Sequence, residues 1–505
     1  MKKRLTGVII SVILALSLIG CGVASPSGNT QGRPPEISPY DEIIGEITVS
    51  AFDFFNRDFL LRAAELFEEK HPGTAVNIET FSAMPEVRTA QTPEGGTIMV
   101  SQIEDDPQAR ADYINRISAA LMSGEGPDIL AMDVLPIDRF ARSGFLVDLS
   151  GYMQSDPEFN REDFRANILD AARTHDGQFF MPLDYIFSYY TFDSALVPQE
   201  QTSQFGSGSA FSAGQLMEIG APLFDGSAML FSFPDHVTVR AVAGQGSGMF
   251  HRLFADSFAD FVDMQARTAN FDDGAFTELL YAVRGYTERG YIPRGVDRAM
   301  DIDALVRDFD REPTERFIFK PRHSSQLVSE FTRGRGGLMM RGGGSMAGIE
   351  DDDMIAGIAA NADGSVPFTF MQAYAINANS ENQRLAWEFI KFLLSEEMQL
   401  SIMFSATPIR VSAIEQRAAM MISGFWGMPG HTPDLDDEER EILRQFLEAE
   451  AEMAAQINTF NIRDTIVSDM IAAEVALFFD GSKSAQEVAL SLQSRVSLFL
   501  SEQGA

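Results

Sequence analysis

Along the first folded part of the chain, the spacing of apolar residues changes from the alternation typical of a strand to the spacing typical of a helix and back again. Residues 46–52 alternate apolar and polar side chains, which predicts a strand. The segment 59–73, FLLRAAELFEEKHPG, spaces its apolar residues as one helix face and ends at Pro72 and Gly73, which cannot continue a helix. Residues 76–81 are a second predicted strand. A strand, a helix and a strand in succession predict a parallel sheet.

The same unit continues after an interruption. Residues 82–108 fit neither period, so we expect a loop or an excursion there. Residues 113–122 have helical spacing, residues 128–132 form a short apolar strand, and Asp133 follows it. Because ligands of open α/β sheets bind at the carboxyl ends of strands, we expect 52–55 and 132–133 to share one rim.

The remainder of the chain has longer apolar blocks. A middle block from about 183 to 332 contains a Gly/Ser-rich stretch, QTSQFGSGSAFSAGQ, followed by helical runs. The last part is strongly helical, most clearly at 386–394 and 438–457. We find no internal repeat of fixed period.

The first 42 residues differ from the rest in composition. Three basic residues open the chain, and an apolar run from Leu5 to Ile19 follows. This run is shorter than the roughly 20 residues that cross a bilayer, so it predicts a secretory signal peptide. A transmembrane anchor is the alternative. Residues 21–42 are rich in Gly, Ser and Pro and predict a flexible linker.

The single cysteine of the chain, Cys21, stands directly after this run. The sequence Leu18-Ile19-Gly20-Cys21 resembles the lipobox of bacterial lipoproteins. The resemblance implies that residues 1–20 are a lipoprotein signal peptide, cut before Cys21, whose sulfur then carries diacylglycerol. A third chain usually joins the new amino terminus, and two or more chains hold a protein firmly to a membrane. We therefore expect an extracytoplasmic protein, lipid-anchored to the cell membrane and without an intramolecular disulfide.

Length and charge narrow the classes of function. The chain has 505 residues, 45% of them hydrophobic, which is enough for two or more domains with their own cores. The 39 basic and 73 acidic residues give a net charge of −34. Such a charge excludes nucleic acid as the main partner and disfavours binding to anionic lipid.

Motifs for catalysis or cofactor binding are weak. The 6 histidines are scattered, with no close pair at metal-ligand spacing. Gly342, Gly344 and Ala347 fit a dinucleotide fingerprint, but glycine-rich loops are common and an exported protein rarely meets a nicotinamide cofactor. We expect no metal and no cofactor. Glycosidases need only two carboxylates, so an enzyme stays open as an alternative.

Five segments in order resemble one family. They are SAALMSGEGPDILAMD, DGQFFMPLDYIFSYYTFDSALVP, FTRGRGGLMMRGGGSM, YAINANSENQRLAWEFIKFLLSEEMQ and FFDGSKSAQEVALSLQSRVSLFL. Together they resemble the extracellular solute-binding proteins of ABC transporters, in the class that includes maltose-binding protein. The resemblance runs, with gaps, over most of residues 46–505. Phe192-Asp193 replaces the usual Tyr-Asn, and Ser345-Met346 stands where many relatives have tryptophan.

The resemblance implies an α/β fold of the type II periplasmic-binding-protein kind. Two lobes, joined by hinge crossings, would close around a ligand in the cleft between them. We expect lobe 1 to comprise 43–182 with 336–370, and lobe 2 to comprise 183–335 with 371–505.

Candidate ligand contacts come from strand ends and from the inferred crossings. Sugars offer C–H faces for aromatic rings and hydroxyls for carboxylates. Phe52 is expected to be core, and a helix-cap role for Asp53 is an equal alternative to ligand contact. Trp426 lies in a glycine-rich loop, whereas the late helix predicts Trp387 to be core. The candidates are Asp53, Phe54, Phe55, Asp133, Asp184, Tyr185, Arg341, Tyr374 and Trp426.

These observations predict a lipid-anchored receptor that is not an enzyme. It would capture a mono- to oligosaccharide and deliver it to the membrane permease subunits of an ABC importer, acting as a monomer and without nucleic acid. A binder of peptide, polyamine or organic anion is the alternative within transport. A glycan-degrading surface lipoprotein is the alternative from another class.

Overall fold

The computed structural model describes residues 43–52, 56–82, 86–91, 97–102, 107–233, 248–264, 266–295, 315–324, 353–401, 406–423, 436–460 and 465–502. Over these ranges, none of the helices has both the length and the apolar character that a membrane span requires.

The elements are numbered along the described chain. The strands are β1 (Gly45–Ala51), β2 (Thr74–Thr80), β3 (Glu86–Gln91), β4 (Thr97–Gln102), β5 (Ile129–Ala131), β6 (Met181–Pro182), β7 (Asp184–Tyr185), β8 (Ser188–Asp193), β9 (Ala210–Phe211), β10 (Met229–Phe231), β11 (Val262–Asp263), β12 (Thr268–Ala269), β13 (Phe317–His323), β14 (Asp353–Ala359), β15 (Pro367–Phe368), β16 (Ala373–Ile376), β17 (Thr407–Pro408) and β18 (Thr459–Phe460).

The α-helices are α1 (Arg57–Lys70), α2 (Pro107–Met122), α3 (Ile137–Arg142), α4 (Ser150–Ser155), α5 (Ala166–Ala171), α6 (Gln199–Thr202), α7 (Ala213–Gly220), α8 (Met249–Asp256), α9 (Phe258–Phe261), α10 (Ala275–Glu288), α11 (Gln383–Leu393), α12 (Glu396–Gln399), α13 (Val411–Ile422), α14 (Asp437–Ala454), α15 (Thr465–Phe479) and α16 (Ala485–Glu502). Two short 3₁₀ helices, Arg161–Asp163 and Ala221–Leu223, complete the described set.

The first sheet has the strand order β2-β1-β5-β16-β6. β1 runs parallel to β2 and to β5, while β16 runs antiparallel to β5 and β6. α1 packs its apolar face, including Leu60 and Phe67, into the core beside this sheet. The parallel unit predicted from residues 46–81 is confirmed, and the carboxyl ends of β1, β2 and β5 meet at one edge.

The second sheet has the order β10-β13-β8-β14-β9 and its own core. β8 lies antiparallel between β13 and β14. A register shift in β14 falls at Gly357, whose φ is 157° and where a Cβ would lie 2.5 Å from the carbonyl oxygen of Ser209. Only glycine fits this close approach of β14 to β9. We call the first sheet with its core lobe 1 and the second lobe 2.

The predicted lobe boundaries need two corrections. β14, at 353–359, belongs to the lobe 2 sheet, although we expected 336–370 in lobe 1. β16 and the buried face of α11, by contrast, belong to lobe 1, although 371–505 was expected in lobe 2. Of the C-terminal part, α15 and α16 do pack in lobe 2. The sequence pattern of a short apolar strand is compatible with either sheet. Only its hydrogen-bonded pairing shows which sheet it belongs to.

The interruption at 82–108 contains an antiparallel hairpin rather than a loop alone. β3 pairs with β4 in register from Glu86–Gln102 to Gln91–Thr97. The sequence Pro-Glu-Gly-Gly at 93–96 is a turn signal between two alternating segments. Each segment has six residues, so its alternating pattern is not distinguished when the sequence is read in windows as long as a helix.

Candidate functional site

An aromatic cluster lies at the edge of lobe 1 where its parallel strands end. Phe52 follows β1 and Phe81 follows β2, and their ring centroids are 6.1 Å apart. Tyr113 of α2 packs against both, at 5.5 Å and 5.3 Å. Its phenol shares a hydrogen bond of 3.2 Å with the Ser50 hydroxyl. Phe52 and Phe81 are half-buried, so the cluster offers part of its ring surface at the rim. Phe52, which was predicted to be core, packs against the lobe 1 core but is only partly buried.

Asp133 lies beside this cluster, as its position after β5 predicted. The backbone N–H of Met132 still donates to the Ala373 carbonyl, so Asp133 leaves the sheet where β5 and β16 part. Burial raises the pKa of Tyr113, and the Asp133 carboxylate raises it further. Burial likewise raises the pKa of Tyr374, with Asp133 and Asp184 adding to it. Asp133 is half-buried and faces two neutral phenols.

Tyr374 is a buried residue of β16 rather than an open aromatic surface. It is 1% exposed, and its hydroxyl donates to Oε1 of Gln372 at 3.1 Å. The structure thus brings two of the predicted contacts, Asp133 and Tyr374, to the same edge of lobe 1.

Asp184 and Tyr185 form β7, in the first segment that crosses between the lobes. The Asp184 carboxylate is fully buried and accepts hydrogen bonds from the backbone N–H groups of Met371 (2.7 Å) and Gln372 (3.1 Å). Burial raises its pKa to about 7, against the opposing effect of these two donors. Asp184 therefore joins the first crossing segment to the later segment that returns to β16.

Tyr185 is also enclosed in the crossing region. Its ring stacks on Phe187 with centroids 6.3 Å apart, and the Arg165 guanidinium lies 6.0 Å from the ring centre. Burial raises the pKa of its hydroxyl. Ligand contact by Asp184 or Tyr185 stays a prediction, since the contacts seen for both are within the crossings.

The carboxyl end of β13 is joined to the first crossing segment by two hydrogen bonds at Ser324. The N–H of Ser324 donates to the Phe187 carbonyl at 3.0 Å, and the Phe187 N–H donates to the Ser324 hydroxyl at 3.2 Å. Next to it, the His323 ring lies 3.1 Å from the Ser188 hydroxyl. Burial lowers the pKa of His323 to about 4, and Arg252 and Arg322 lower it further, so this histidine is neutral near pH 7.

The lobe 2 sheet carries a buried ionic cluster on β13 and β14. Asp353 accepts from Lys320 Nζ at 2.9 Å and from Arg322 Nη2 at 2.8 Å, and all three side chains are almost completely buried. β8 lies between the two strands, so these bonds reach across it. Because each of these buried charges has an ionic partner, the cluster links β13 to β14.

The lobes also touch directly, away from the crossings. Arg110 of α2 forms an ion pair of 2.7 Å with Asp469 of α15, with the arginine side chain 4% exposed. Arg142 of α3 donates to the Met264 carbonyl at 2.7 Å, in the turn between β11 and β12. Side chains of lobe 1 therefore contact lobe 2 at α15 and at the β11–β12 turn.

Five predicted ligand contacts and the predicted anchor lie outside the described residues: Asp53, Phe54, Phe55, Arg341, Trp426 and Cys21. The three glycine-loop residues 342, 344 and 347 do as well. Tyr113, Ser50 and Phe81 were not among the predictions. Tyr113 opens a helical pattern, which indicates core, and nothing local shows that its hydroxyl reaches a strand end 63 residues earlier.

Comparisons with known proteins agree with this architecture. Residues 254–420 match the profile of the family described as bacterial extracellular solute-binding protein. A comparison with curated proteins finds no match.

Among solved structures, the sugar-binding protein MalE from the phytopathogen Xanthomonas citri is 13% identical with a TM-score of 0.55, covering 91% of this chain and 98% of that one. Maltose-bound T. maritima MalE3 is 15% identical with a TM-score of 0.51, covering 90% and 99%. The cyclic α-maltosyl-1,6-maltose binding protein from Arthrobacter globiformis is 14% identical with a TM-score of 0.50, covering 91% and 100%. At these identities the likeness establishes the fold. The predicted two-lobed α/β fold and the resemblance to extracellular solute-binding proteins are confirmed.

Proposed function

We propose that this chain is an extracellular solute-binding protein, that it is the capturing receptor of an ABC importer, and that its solute is a carbohydrate. The observation that carries the proposal is the rim of lobe 1, where half-buried aromatic rings lie beside a carboxylate. Rings pack on the C–H faces of a sugar, and a carboxylate accepts from its hydroxyls. Two proteins of this fold, maltose-bound MalE3 and the cyclic α-maltosyl-1,6-maltose binding protein, bind maltose-based sugars, which supports the same class of ligand here.

The proposed contacts are the rim residues and the predicted residues that flank them. Asp133 accepts from sugar hydroxyls, and the Phe52–Phe81–Tyr113 cluster supports a pyranose face. Asp53, Phe54 and Phe55 extend the same rim by sequence. Arg341, Tyr374, Trp426, Asp184 and Tyr185 complete the set. Capture draws the lobes together around the solute, because contacts to both lobes favour the closed arrangement.

A thermal-shift screen tests the class of solute. Ligands that bind the native state raise the melting temperature by mass action. We expect shifts with mono- to oligosaccharides such as maltose, maltotriose and cellobiose, followed by calorimetric affinities. Shifts confined to peptides, polyamines or organic anions would establish the alternative receptor and overturn the carbohydrate proposal.

We propose further that the protein binds its solute without altering it chemically. Incubation of each confirmed sugar with the protein, followed by chromatography of the products, should return the sugar intact. Cleavage of glycosidic bonds would identify a glycan-degrading lipoprotein instead.

The location and partners follow from the amino-terminal segment and from the transport role. We propose export by residues 1–20, lipid attachment at Cys21, and delivery of the solute by the monomer to the membrane permease subunits of the importer. Cys21→Ser should leave the fold and the affinity unchanged, because residues 21–42 separate it from the first strand. Detergent-phase partitioning of the expressed protein is the measurement. A variant that enters the detergent phase as wild type does would contradict lipid attachment.

A further inference from the structure

A basic crevice lies between the lobes where they touch. Its walls are α3 of lobe 1, the β11–β12 turn and the end of α16, and it encloses a cavity volume of about 60 Å³. The residues that line it are Arg139, Arg142, Ser143, Met264, Arg267 and Leu500. Three of the six are arginines and none is acidic, in a chain with a net charge of −34.

Two of the arginines are held in place by lobe 1. Arg142 is paired with Asp138 and also donates to the Met264 carbonyl across the lobes. Arg139 lies over the Phe140 ring at 5.4 Å. Asp138 is shared with His175, whose Nε2 lies 2.6 Å from the other carboxylate oxygen. Both carboxylate oxygens of Asp138 therefore already have a partner, Arg142 on one and His175 on the other.

Arg267 lies on the opposite wall, and its exposure, its contacts and its backbone conformation differ from those of the other two arginines. It is exposed, and within the described ranges it makes no hydrogen bond or ion pair. Its φ is 58°, the left-handed region that glycine or asparagine normally occupies in a turn. The neighbouring acid of the hairpin, Asp263, turns one oxygen to the Ala266 N–H at 2.7 Å. Arg267 thus lines the crevice from a backbone position where arginine is conformationally unfavourable.

We propose that this crevice binds an oxyanion between the lobes. Guanidinium groups bind carboxylate, sulfate and phosphate through paired N–H donors, and partly enclosed walls strengthen such bonds. Since Arg139 and Arg142 belong to lobe 1 and Arg267 to lobe 2, one anion contacting all three holds the lobes in this arrangement. The anion is either a group on the captured solute, which rests on the proposed function, or a separate ion that assists closure, which does not.

Calorimetry with sodium sulfate, at constant ionic strength set by chloride, tests the crevice itself. We expect wild type to bind sulfate and Arg267→Gln to bind it at least tenfold more weakly. Arg62→Gln is the matched control, because Arg62 is exposed on α1 and pairs only locally with Glu65 among described residues. It should change the affinity less than twofold. No sulfate binding, or equal weakening in both variants, would overturn the proposal.

Two further titrations identify the source of the anion. If the solute carries it, trigalacturonate binds at least tenfold more tightly than neutral maltotriose, and Arg267→Gln removes that difference. If the anion is separate, sulfate tightens maltotriose binding to wild type but not to Arg267→Gln. Sulfate binding that depends on Arg267 in a protein that takes up neither sugar would support the crevice and contradict the carbohydrate receptor.

Discussion

The carboxylates of this acidic chain differ according to what surrounds each one. Asp156 is buried, and although burial opposes ionisation, hydrogen bonds from Lys391 and Trp387 lower its pKa. Asp184 is buried more completely and accepts from two backbone N–H groups among the described residues, and burial raises its pKa to about 7. Asp133 is half-buried at a rim. Position in the fold therefore assigns a charged, structural role to the first, a joining role to the second and the proposed ligand role to the third.

Replacing Asp133 with asparagine should weaken solute binding without unfolding the protein. The lost charge-assisted bonds cost about 1–3 kcal/mol, or roughly one to two decades in affinity. The melting temperature of the empty protein should hardly change, because the residue is at the rim. Calorimetry on a confirmed sugar provides the affinity. Asp112→Asn, an exposed acid of α2 bonded to Gln108, is the control, and equal affinities for the two variants would contradict the rim assignment.

Replacing Asp184 with alanine should instead lower stability. The change leaves the N–H groups of Met371 and Gln372 buried without their acceptor, at a cost of about 2–4 kcal/mol in the free energy of unfolding. Asp184→Asn keeps one carbonyl oxygen and should lose less. Urea denaturation measures both. A stability within about 0.5 kcal/mol of wild type for Asp184→Ala, typical of surface changes, would show that the two amides find other partners.

One helix, α14, ties the crossing region to both lobes. The Asn167 side chain of α5 donates to the carbonyls of Ala454 and Ile457 at its end, at 2.9 Å and 3.0 Å. On the other side, the Gln456 amide donates to the Ser207 carbonyl of lobe 2 at 2.7 Å. One turn earlier in the helix, Glu450 accepts from the Thr407 hydroxyl of β17 at 3.3 Å. A change in the charge of Glu450 on α14 therefore alters the contacts of the region where the lobes join.

The titration of Glu450 should make stability depend on pH. Burial raises its pKa from 4.5 to about 7, although Thr407, Arg165 and Arg417 act in the opposite direction. Between these two values the native state keeps a proton that the unfolded chain has lost. The free energy of unfolding therefore falls as pH rises through this window and levels off above it.

Glu450→Gln should remove this contribution, since glutamine stays neutral and can still accept from Thr407. We expect the variant to melt near the wild-type temperature at pH 4.5 and above it at pH 8, by calorimetry. Glu448→Gln, an exposed residue of the same helix, should run parallel to wild type. Parallel curves for both variants would contradict the raised pKa.

At the scale of the whole molecule, the described side chains of the two lobes also touch outside the crossings. The crossings supply the covalent links, and the Arg110–Asp469 pair joins α2 to α15 outside them. Removing one partner of such a pair leaves the other charge without its compensation. The arrangement with the lobes in contact thereby loses free energy relative to an open one.

Arg110→Gln should shift the empty protein toward separated lobes. Small-angle scattering should show a larger radius of gyration, and Asp469→Asn should give a similar increase. Arg116→Gln is the control, because Arg116 lies on the same helix and pairs within lobe 1, at 3.6 Å from Glu79. Identical scattering from Arg110→Gln and Arg116→Gln would mean that this pair does not hold the lobes.

Local pattern determined the features that depend on neighbouring residues. The period change at residues 46–81 predicted β1, α1 and β2, and the apolar face of α11 predicted a core position for Trp387, which is completely buried. The position of Asp133 at a strand end followed from the same pattern. Backbone hydrogen bonding and burial within one element repeat at fixed intervals, so a short window contains the information.

Only the tertiary structure decided which strands share a sheet and which side chains share a site. β14 and β16 are both largely apolar, yet β14 pairs with β8 and β9 in lobe 2 whereas β16 pairs with β5 and β6 in lobe 1. Tyr113 meets Ser50, and Arg267 comes to the crevice beside Arg139 and Arg142, across intervals of 63 residues or more. Contacts at such separations depend on how whole strands and helices pack, and packing free energy is a property of the assembled core that no local period encodes.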